Sequence, residues 1–159
     1  DVFIDLHHQG MYYVEGTDDE VTLSLSAQFV PDPNTSEGAK YAEYAENYRY
    51  DYSRQLNVAA YNELQSYGNS KFTNISLYSQ GLDLPGTALG SYALNGSGTV
   101  LFEVRGQTQM MGQKEKGQLV KSVEQGLTGI IEAVADGSVE TLNPEDYDNI
   151  PLTSNKPTN

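Results

Sequence analysis

The amino-acid sequence predicts an α/β fold, in which one β-sheet has helices packed on its faces. Two apolar segments have the length and composition of buried strands, one at residues 2–6 and one at residues 99–104. Residues 114–136 have the apolar spacing of a helix. The order strand, strand, helix, strand, helix is typical of this fold class. With 159 residues the chain is long enough for one domain with its own core.

The first two strands are predicted near the amino terminus. Residues 2–6 are mostly apolar, carry β-branched side chains at Val2 and Ile4, and end where His7-His8-Gln9-Gly10 begins. Residues 21–26 alternate apolar and polar side chains, as a half-buried strand does. The segment 31–38 contains prolines, Asp, Asn and Gly, and we expect a loop there.

From residue 39 onward the apolar spacing becomes that of a helix. One face of this helix is rich in tyrosine, with Tyr41, Tyr44, Ala45, Tyr48 and Tyr52. We expect one long or broken helix over residues 39–66, ended by Gly68 and Asn69. Such a stripe resembles a platform for a ligand, but packing against the sheet is the commoner role.

The second half of the chain continues the same alternation of elements. We expect a short strand at 72–78, a structured loop with at most a short helix at 79–97, and a strand at 99–104. The helix 114–136 follows, and Gly137 stands where a C′ cap belongs. Residues 138–159 hold three prolines and four acids with few large apolar groups. We therefore predict one domain over 1–136 and an acidic, proline-containing tail or linker over 137–159.

Composition excludes several classes of function. The net charge of −13 argues against nucleic acid and anionic membrane surfaces as partners, because phosphate groups would be repelled. The absence of cysteine rules out disulfides, cysteine nucleophiles and thiolate metal sites. No run approaches 18 apolar residues, so we expect no membrane span. The sequence also lacks a Gly-x-Ser-x-Gly elbow, a phosphate loop and a dinucleotide-binding glycine pattern.

Two residues break the pattern of their surroundings and are the candidates for chemistry. His7 stands at the carboxyl end of a buried strand, where ligand sites of α/β sheets occur, and its imidazole could bind zinc or be a structural histidine. Glu103 stands inside an apolar strand, where a charged carboxylate is costly unless it is paired. It could be a general base with a raised pKa, or a salt-bridge partner of Arg105 or Lys121. His8, adjacent to His7 on an extended segment, must point to the opposite face.

Phe3-Ile4-Asp5-Leu6-His7, followed much later by Phe102-Glu103-Val104-Arg105, resembles the zinc carboxypeptidases of the carboxypeptidase A type. In that family a strand ending in Asp-x-His supplies the third zinc ligand, and a later strand of the form Thr-x-Glu-Leu supplies the catalytic glutamate. The resemblance covers residues 1–136. It implies the C-terminal half of the family's mixed-sheet, phosphorylase/hydrolase-like fold, with His7 as a zinc ligand and Glu103 as the general base. Asp5 would be structural or would orient His7.

The segment Pro85-Gly86-Thr87-Ala88-Leu89-Gly90-Ser91-Tyr92 resembles the loop that lines the specificity pocket of the same family. The resemblance implies that Gly86, Thr87 and Ala88 contact the substrate. Ala88 would lie at the floor of the pocket, where an aspartate would select basic residues. Tyr78 is the nearest candidate for the mobile tyrosine of the family, although its offset from Glu103 is a few residues longer.

The family's other zinc ligands come from an upstream His-x-x-Glu motif, which this chain lacks. The residues three positions after His7 and His8 are Gly10 and Met11. The implied zinc site is therefore incomplete, since zinc sites need at least three protein ligands. Because the chain also begins inside an apolar strand, we expect a partial catalytic domain that is inactive alone, lacks its N-terminal half and has an exposed edge that favours self-association.

The resemblance implies a zinc-dependent metallocarboxypeptidase that hydrolyses C-terminal peptide bonds of a peptide substrate. Two alternatives stay open: a non-catalytic peptide-binding domain of the same fold, and a carboxypeptidase or amidase that acts on cell-wall (murein) peptides. Cysteine-free extracellular proteins are common in Gram-positive bacteria. We therefore expect a secreted or cell-surface bacterial protein.

Overall fold

The computed structural model describes residues 1–67, 73–107 and 111–156. The strands in these ranges are β1 (Val2–Gln9), β2 (Tyr13–Val14), β3 (Leu23–Ser26), β4 (Ile75–Leu77), β5 (Gly98–Arg105) and β6 (Thr153–Ser154). The α-helices are α1 (Tyr50–Ser66), α2 (Ala88–Leu94) and α3 (Gln113–Asp136). Short 3₁₀ helices occupy Ala39–Tyr44, Ser138–Thr141 and Pro144–Asn149.

The main sheet has four strands in the order β1-β5-β3-β4. β1 is parallel to β5, β5 is antiparallel to β3, and β3 is parallel to β4. The short strands β2 and β6 form a separate antiparallel pair. The α/β class and a mixed sheet covered by helices are therefore confirmed, whereas the specific carboxypeptidase-like fold stays a prediction.

The two faces of the sheet differ because side chains alternate along each strand. One face carries Phe102 of β5 together with Leu25, its register partner on β3, and both are fully buried in the core. The other face carries Glu103 of β5 and its register partner Ser24 on β3, which in turn pairs with Ser76 of β4. The sheet therefore has an apolar face and a polar face, and the candidate carboxylate lies on the polar one.

Helices α1 and α3 pack on the apolar face. A Cβ on Gly98 would come within 2.6 Å of Leu56 in α1, and a Cβ on Gly126 in α3 would come within 2.6 Å of the Phe102 ring. These two glycines therefore permit a close approach between the helices and the sheet. Leu56, Phe102 and Ile130 belong to one buried cluster that links α1, β5 and α3.

The helix predicted over residues 39–66 is broken. A 3₁₀ helix covers Ala39–Tyr44, and the α-helix begins only at Tyr50. The predicted terminators Gly68 and Asn69 lie outside the described residues, as does Phe72 at the start of the predicted strand 72–78. The tyrosine-rich segment packs around Tyr48, whose neighbours include Val30 and the α2 side chains Ala93 and Leu94. The tyrosines thus pack, but largely beside the sheet and not on it.

The helix predicted at 114–136 is confirmed and begins one residue earlier. Its C′ residue Gly137 adopts φ = 80°, the left-handed conformation that ends helices without the cost of a side chain. The loop predicted over 79–97 contains the short helix α2. No helix among the described residues is both long and apolar enough to cross a bilayer.

Residues 137–156, which composition marks as a tail or linker, pack on the sheet. Val139, Tyr147 and Ile150 are each 2% exposed and belong to the main core. The Leu77 N–H donates to the Pro151 carbonyl over 2.7 Å, which extends the sheet beyond β4. The segment is held because three of its few apolar side chains, Val139, Tyr147 and Ile150, are buried, although its average composition is polar and Leu152 is exposed. How the chain divides into domains stays a prediction.

Candidate functional site

His7 and Glu103 are direct neighbours on adjacent strands. In the parallel β1–β5 ladder, His7 is the register partner of Glu103. Residues paired in register have side chains on the same face of a sheet, and the carboxyl ends of parallel strands meet at one edge. The imidazole and the carboxylate therefore share the polar face at the carboxyl ends of β1 and β5.

Glu103 is buried and forms no ion pair within residues 1–67, 73–107 and 111–156. Its side chain belongs to a residue only 8% exposed, and Oε2 has no hydrogen-bond partner among the described residues. Both partners considered from the sequence are engaged elsewhere: the Arg105 guanidinium lies 2.6 Å from Glu20, and the Lys121 ammonium lies 3.0 Å from Glu124. The described structure therefore contains neither of the two salt bridges that would have made Glu103 a structural residue.

Burial raises the pKa of the Glu103 carboxyl above its ordinary value, because desolvation penalises the charged form. The neighbouring imidazoles of His7 and His8 act in the opposite direction, and the negative charge of Asp5 adds to the rise. The raised pKa brings this carboxyl closer to neutral pH, where a carboxylate exchanges protons most efficiently as a general base.

His7 is exposed and is oriented by Asp5. Its Nε2 lies 3.0 Å from Oδ1 of Asp5, two residues earlier on the same face of β1. A carboxylate that holds one ring nitrogen fixes the orientation of the ring and leaves the other nitrogen for a ligand. The expected contact between Asp5 and His7 is thus present. His8 is adjacent to His7 on the extended strand and therefore points to the opposite face, and both histidines line a groove of about 470 Å³ beside α3.

Tyr78 lies near Glu103. It directly follows β4, and its N–H donates to the Leu25 carbonyl over 2.8 Å. Its half-buried ring lies 6.0 Å from the Phe29 ring. Burial raises the pKa of the Tyr78 hydroxyl, and the negative charge of Glu103 raises it further. The structure therefore brings Tyr78 to the face of the sheet that carries the candidate carboxylate.

The loop Gly86-Thr87-Ala88 begins helix α2. Thr87 is its N-cap, with Oγ1 accepting from the Gly90 N–H over 3.1 Å and donating to the Leu84 carbonyl over 2.7 Å. Gly86 and Ala88 are exposed. The Tyr92 ring stacks on Phe3 of β1 with centroids 4.1 Å apart, which holds α2 on the polar face. No contact of this loop with His7 or Glu103 occurs among the described residues, and its role in substrate binding stays a prediction.

A second polar row, which was not predicted from the sequence, lies beside the first. Gln9 and Arg105 are register partners two residues beyond His7 and Glu103, and each is 8% exposed. The Gln9 amide donates to the Ser24 hydroxyl over 2.8 Å. The signal was present in the sequence, because every second residue from Asp5 to Gln9 is polar and the same period continues from Glu103 to Arg105.

The described residues contain no complete zinc site. No group of three or more His, Cys, Asp or Glu side chains in residues 1–67, 73–107 and 111–156 is placed to hold a metal ion. The exposed His7 with its Asp5 partner fits one ligand of such a site, and the Glu103 Oε2 fits an acid–base group beside it. No family model matches this chain, and neither does any curated protein or any solved structure.

Proposed function

We propose that this chain is the C-terminal half of the catalytic domain of a secreted zinc carboxypeptidase that hydrolyses C-terminal peptide bonds. The observation that carries the proposal is the register pairing of His7 with Glu103 on parallel strands, beside a buried Glu103 oxygen without a described partner. An exposed imidazole and a buried carboxylate of raised pKa on one face are the pair that such a hydrolase needs from this half of its domain.

Glu103 is the proton-transfer group in this proposal. Its raised pKa lets it accept a proton from the attacking water and deliver that proton to the leaving amine. His7 contributes a metal ligand, and Asp5 fixes its ring. Tyr78 and the loop Gly86-Thr87-Ala88 contact the C-terminal residue of the peptide, and the small Ala88 disfavours lysine and arginine there.

The proposal requires zinc ligands that the described residues do not contain. A catalytic zinc site uses three protein ligands, and this chain offers His7 alone for that role. The remaining ligands would come from a preceding half of the same domain, so the 159-residue chain by itself should bind zinc weakly and hydrolyse no peptide. Stoichiometric zinc with clear peptidase activity in this chain would contradict the assignment.

The test is a peptidase assay on the full product of the gene, with zinc added or removed by a chelator. Free and C-terminally amidated peptides serve as substrates. We expect zinc-dependent release of the C-terminal residue from free peptides only. Replacing Glu103→Gln should lower kcat by about 10²-fold or more with little change in KM, since it removes the proton acceptor and keeps the shape. The matched control Glu43→Gln removes an exposed carboxylate and should leave kcat unchanged.

The same assay separates the alternatives. Activity on cell-wall peptides, with none on ordinary peptides, would assign the murein-directed reaction to this site. Binding of free peptide C-termini without turnover in zinc-loaded protein would assign a binding domain and contradict the enzyme proposal. Full activity of the Glu103→Gln variant would exclude Glu103 as the proton-transfer group.

A further inference from the structure

One edge of the main sheet is open in the part of the chain that the structure describes. β1 is the first strand in the order β1-β5-β3-β4, and β5 is the strand that pairs with it there. β1 is eight residues long. The unpaired N–H and C=O groups of a long edge strand form a template for another strand, which is why such edges are usually short, bulged or covered.

An apolar stripe on α3 lies beside this edge and is largely outside the core, although its central residue Leu127 also packs against the core. The stripe consists of Val120, Val123, Leu127, Ile131 and Val134. Val120 is 64% exposed and Ile131 is 62% exposed, and Leu6 of β1 is 54% exposed. The groove between the stripe and His8 joins the helix to the strand. We call β1 together with this stripe the edge surface.

The stripe is symmetric about its centre. Its residues stand seven and four positions before Leu127 and four and seven positions after it. Two antiparallel copies of α3 that cross at Leu127 therefore bring Val120 of each copy opposite Val134 of the other, and Val123 opposite Ile131. An isologous two-fold interface requires such self-complementarity.

The charges of α3 fit the same arrangement. The amino-terminal part carries Lys114, Lys116 and Lys121 with one acid, Glu115. The carboxyl-terminal part carries Glu124, Glu132 and Asp136 and no basic residue. Antiparallel packing of two copies places the basic end of each helix beside the acidic end of the other, whereas parallel packing would place like charges together.

In a dimer, a single two-fold axis can relate both β1 and α3 to their copies. Gly126, adjacent to Leu127, lies against the Phe102 ring, and Phe102 is the register partner of Leu6 in the middle of β1. A single axis perpendicular to the sheet can therefore pass near both Leu6 and Leu127. Rotation about it makes β1 antiparallel to its copy and α3 antiparallel to its copy in one operation.

We infer that the edge surface binds a second copy of this chain, forming a two-fold dimer with a continuous sheet and paired α3 helices. Burying the open edge and the stripe together removes the two features that a soluble monomer usually avoids. The net charge of −13 on each copy opposes association over long range, and salt screens that repulsion. Raising the salt from about 10 mM to about 150 mM should therefore strengthen the dimer.

Sedimentation equilibrium of the 159-residue chain tests this inference. We expect a monomer–dimer equilibrium without larger species, because a two-fold interface closes on itself. Replacing Ile131→Glu should weaken dimerisation at least about tenfold, since it places a charge within the apolar stripe, opposite Val123 of the other copy. The control Leu84→Glu adds the same charge at another apolar residue, 44% exposed, and should leave the dimer intact.

Hydrogen exchange locates the interface independently. Amides of β1 should gain protection on dimerisation in the original chain and lose it in the Ile131→Glu variant. A monomer at all accessible concentrations, a dimer without added protection in β1, or equal effects of the two glutamate variants would each overturn the inference. Displacement of the second copy by a preceding segment of the same gene product would assign the edge surface to that segment instead. The proposed peptidase role is tested separately, because Glu103→Gln should not change the dimer.

Discussion

Burial of the Glu103 carboxylate lowers the stability of the fold, and this cost indicates that the side chain is present for its chemistry. A carboxylate placed in a strand core loses its hydration, and the described structure offers it no ion pair in return. A chain selected for stability alone would carry an apolar or neutral side chain there. The cost is therefore a reason to assign Glu103 a function, independent of any resemblance.

Replacing Glu103→Gln should raise the free energy of unfolding at pH 8 by about 1 kcal/mol or more, because it removes a buried charge and keeps the volume. The folded-state pKa lies above the ordinary value of 4.5. A raised carboxyl pKa means that this group favours the folded state at low pH, and that its contribution is lost as the pH rises through the folded-state pKa. The gain of the variant should therefore be small at pH 4 and full at pH 8.

Urea unfolding of both proteins at the two pH values measures this difference. Glu43→Gln corrects for the loss of one charge from an acidic protein, because Glu43 is exposed and lies away from the sheet. A Glu103→Gln variant that is less stable than the original at pH 8 would mean that the carboxylate has a favourable partner.

At the scale of elements, glycines set how closely α3 packs. A Cβ on Gly129 would lie 2.5 Å from Cβ of Glu63 and 3.0 Å from the Ala59 carbonyl, both in α1. Gly117, in the first turns of α3, has open space at the place a Cβ would take, with no described atom beyond its own helix turns within 4 Å. Helix α3 therefore contains two glycines with the same helical backbone, of which Gly129 is tightly packed against α1 and Gly117 has open space beside it.

Replacing Gly129→Ala should lower the free energy of unfolding by about 1–3 kcal/mol, because the new methyl group forces α1 and α3 apart. Replacing Gly117→Ala should raise it by about 0.5–1 kcal/mol through helix propensity alone. Urea unfolding of the two variants against the original chain measures both. Equal effects of the two substitutions would show that the α1–α3 contact is looser than the structure describes.

Most helices and strands could be predicted from the sequence because the apolar residues of each recur at the spacing of a helix or a strand. The helix at 114–136 lies where helical spacing places it, and Gly137 caps it as predicted. The strand predicted at 2–6 is present, but it continues through His7 and His8 to Gln9, and none of residues 2–6 is fully buried. The sequence left open whether the helix over residues 39–66 is continuous or broken, and the position of the break before Tyr50 was not predicted, because the tyrosine spacing continues through it.

The candidate site was predicted only in part. The sequence identified His7 and Glu103 as residues that break the pattern of their strands, but strand pairing is a long-range property, and periodicity alone does not give the register between residues 7 and 103. The Gln9–Arg105 row was missed because both residues resemble the polar ends of strands. The Gly86-Thr87-Ala88 loop is a helix cap whose local sequence does not show what it faces.

At the scale of the whole molecule, the carboxyl-terminal segment closes the fold. The Arg54 guanidinium of α1 donates to the Pro144 carbonyl over 3.0 Å, pairs with Asp148 and lies 4.9 Å from the centre of the Tyr147 ring. The Thr153 hydroxyl lies 2.7 Å from that of Ser76 on the sheet. The average composition of this segment is polar and therefore predicts a tail. Whether the segment folds depends instead on the few side chains that it buries.

If the segment belongs to the cooperative core, replacing Tyr147→Phe should lower the free energy of unfolding by about 1–2 kcal/mol. The Tyr147 hydroxyl accepts from the buried Ala27 N–H over 3.0 Å, and the variant leaves that donor unpaired. Calorimetry and urea unfolding should show one transition, shifted as a whole. The control Tyr92→Phe removes the hydroxyl of a half-exposed ring and should change stability by less than about 0.5 kcal/mol. A separate early transition, or equal stabilities of the two variants, would show that residues 138–156 unfold independently of the sheet.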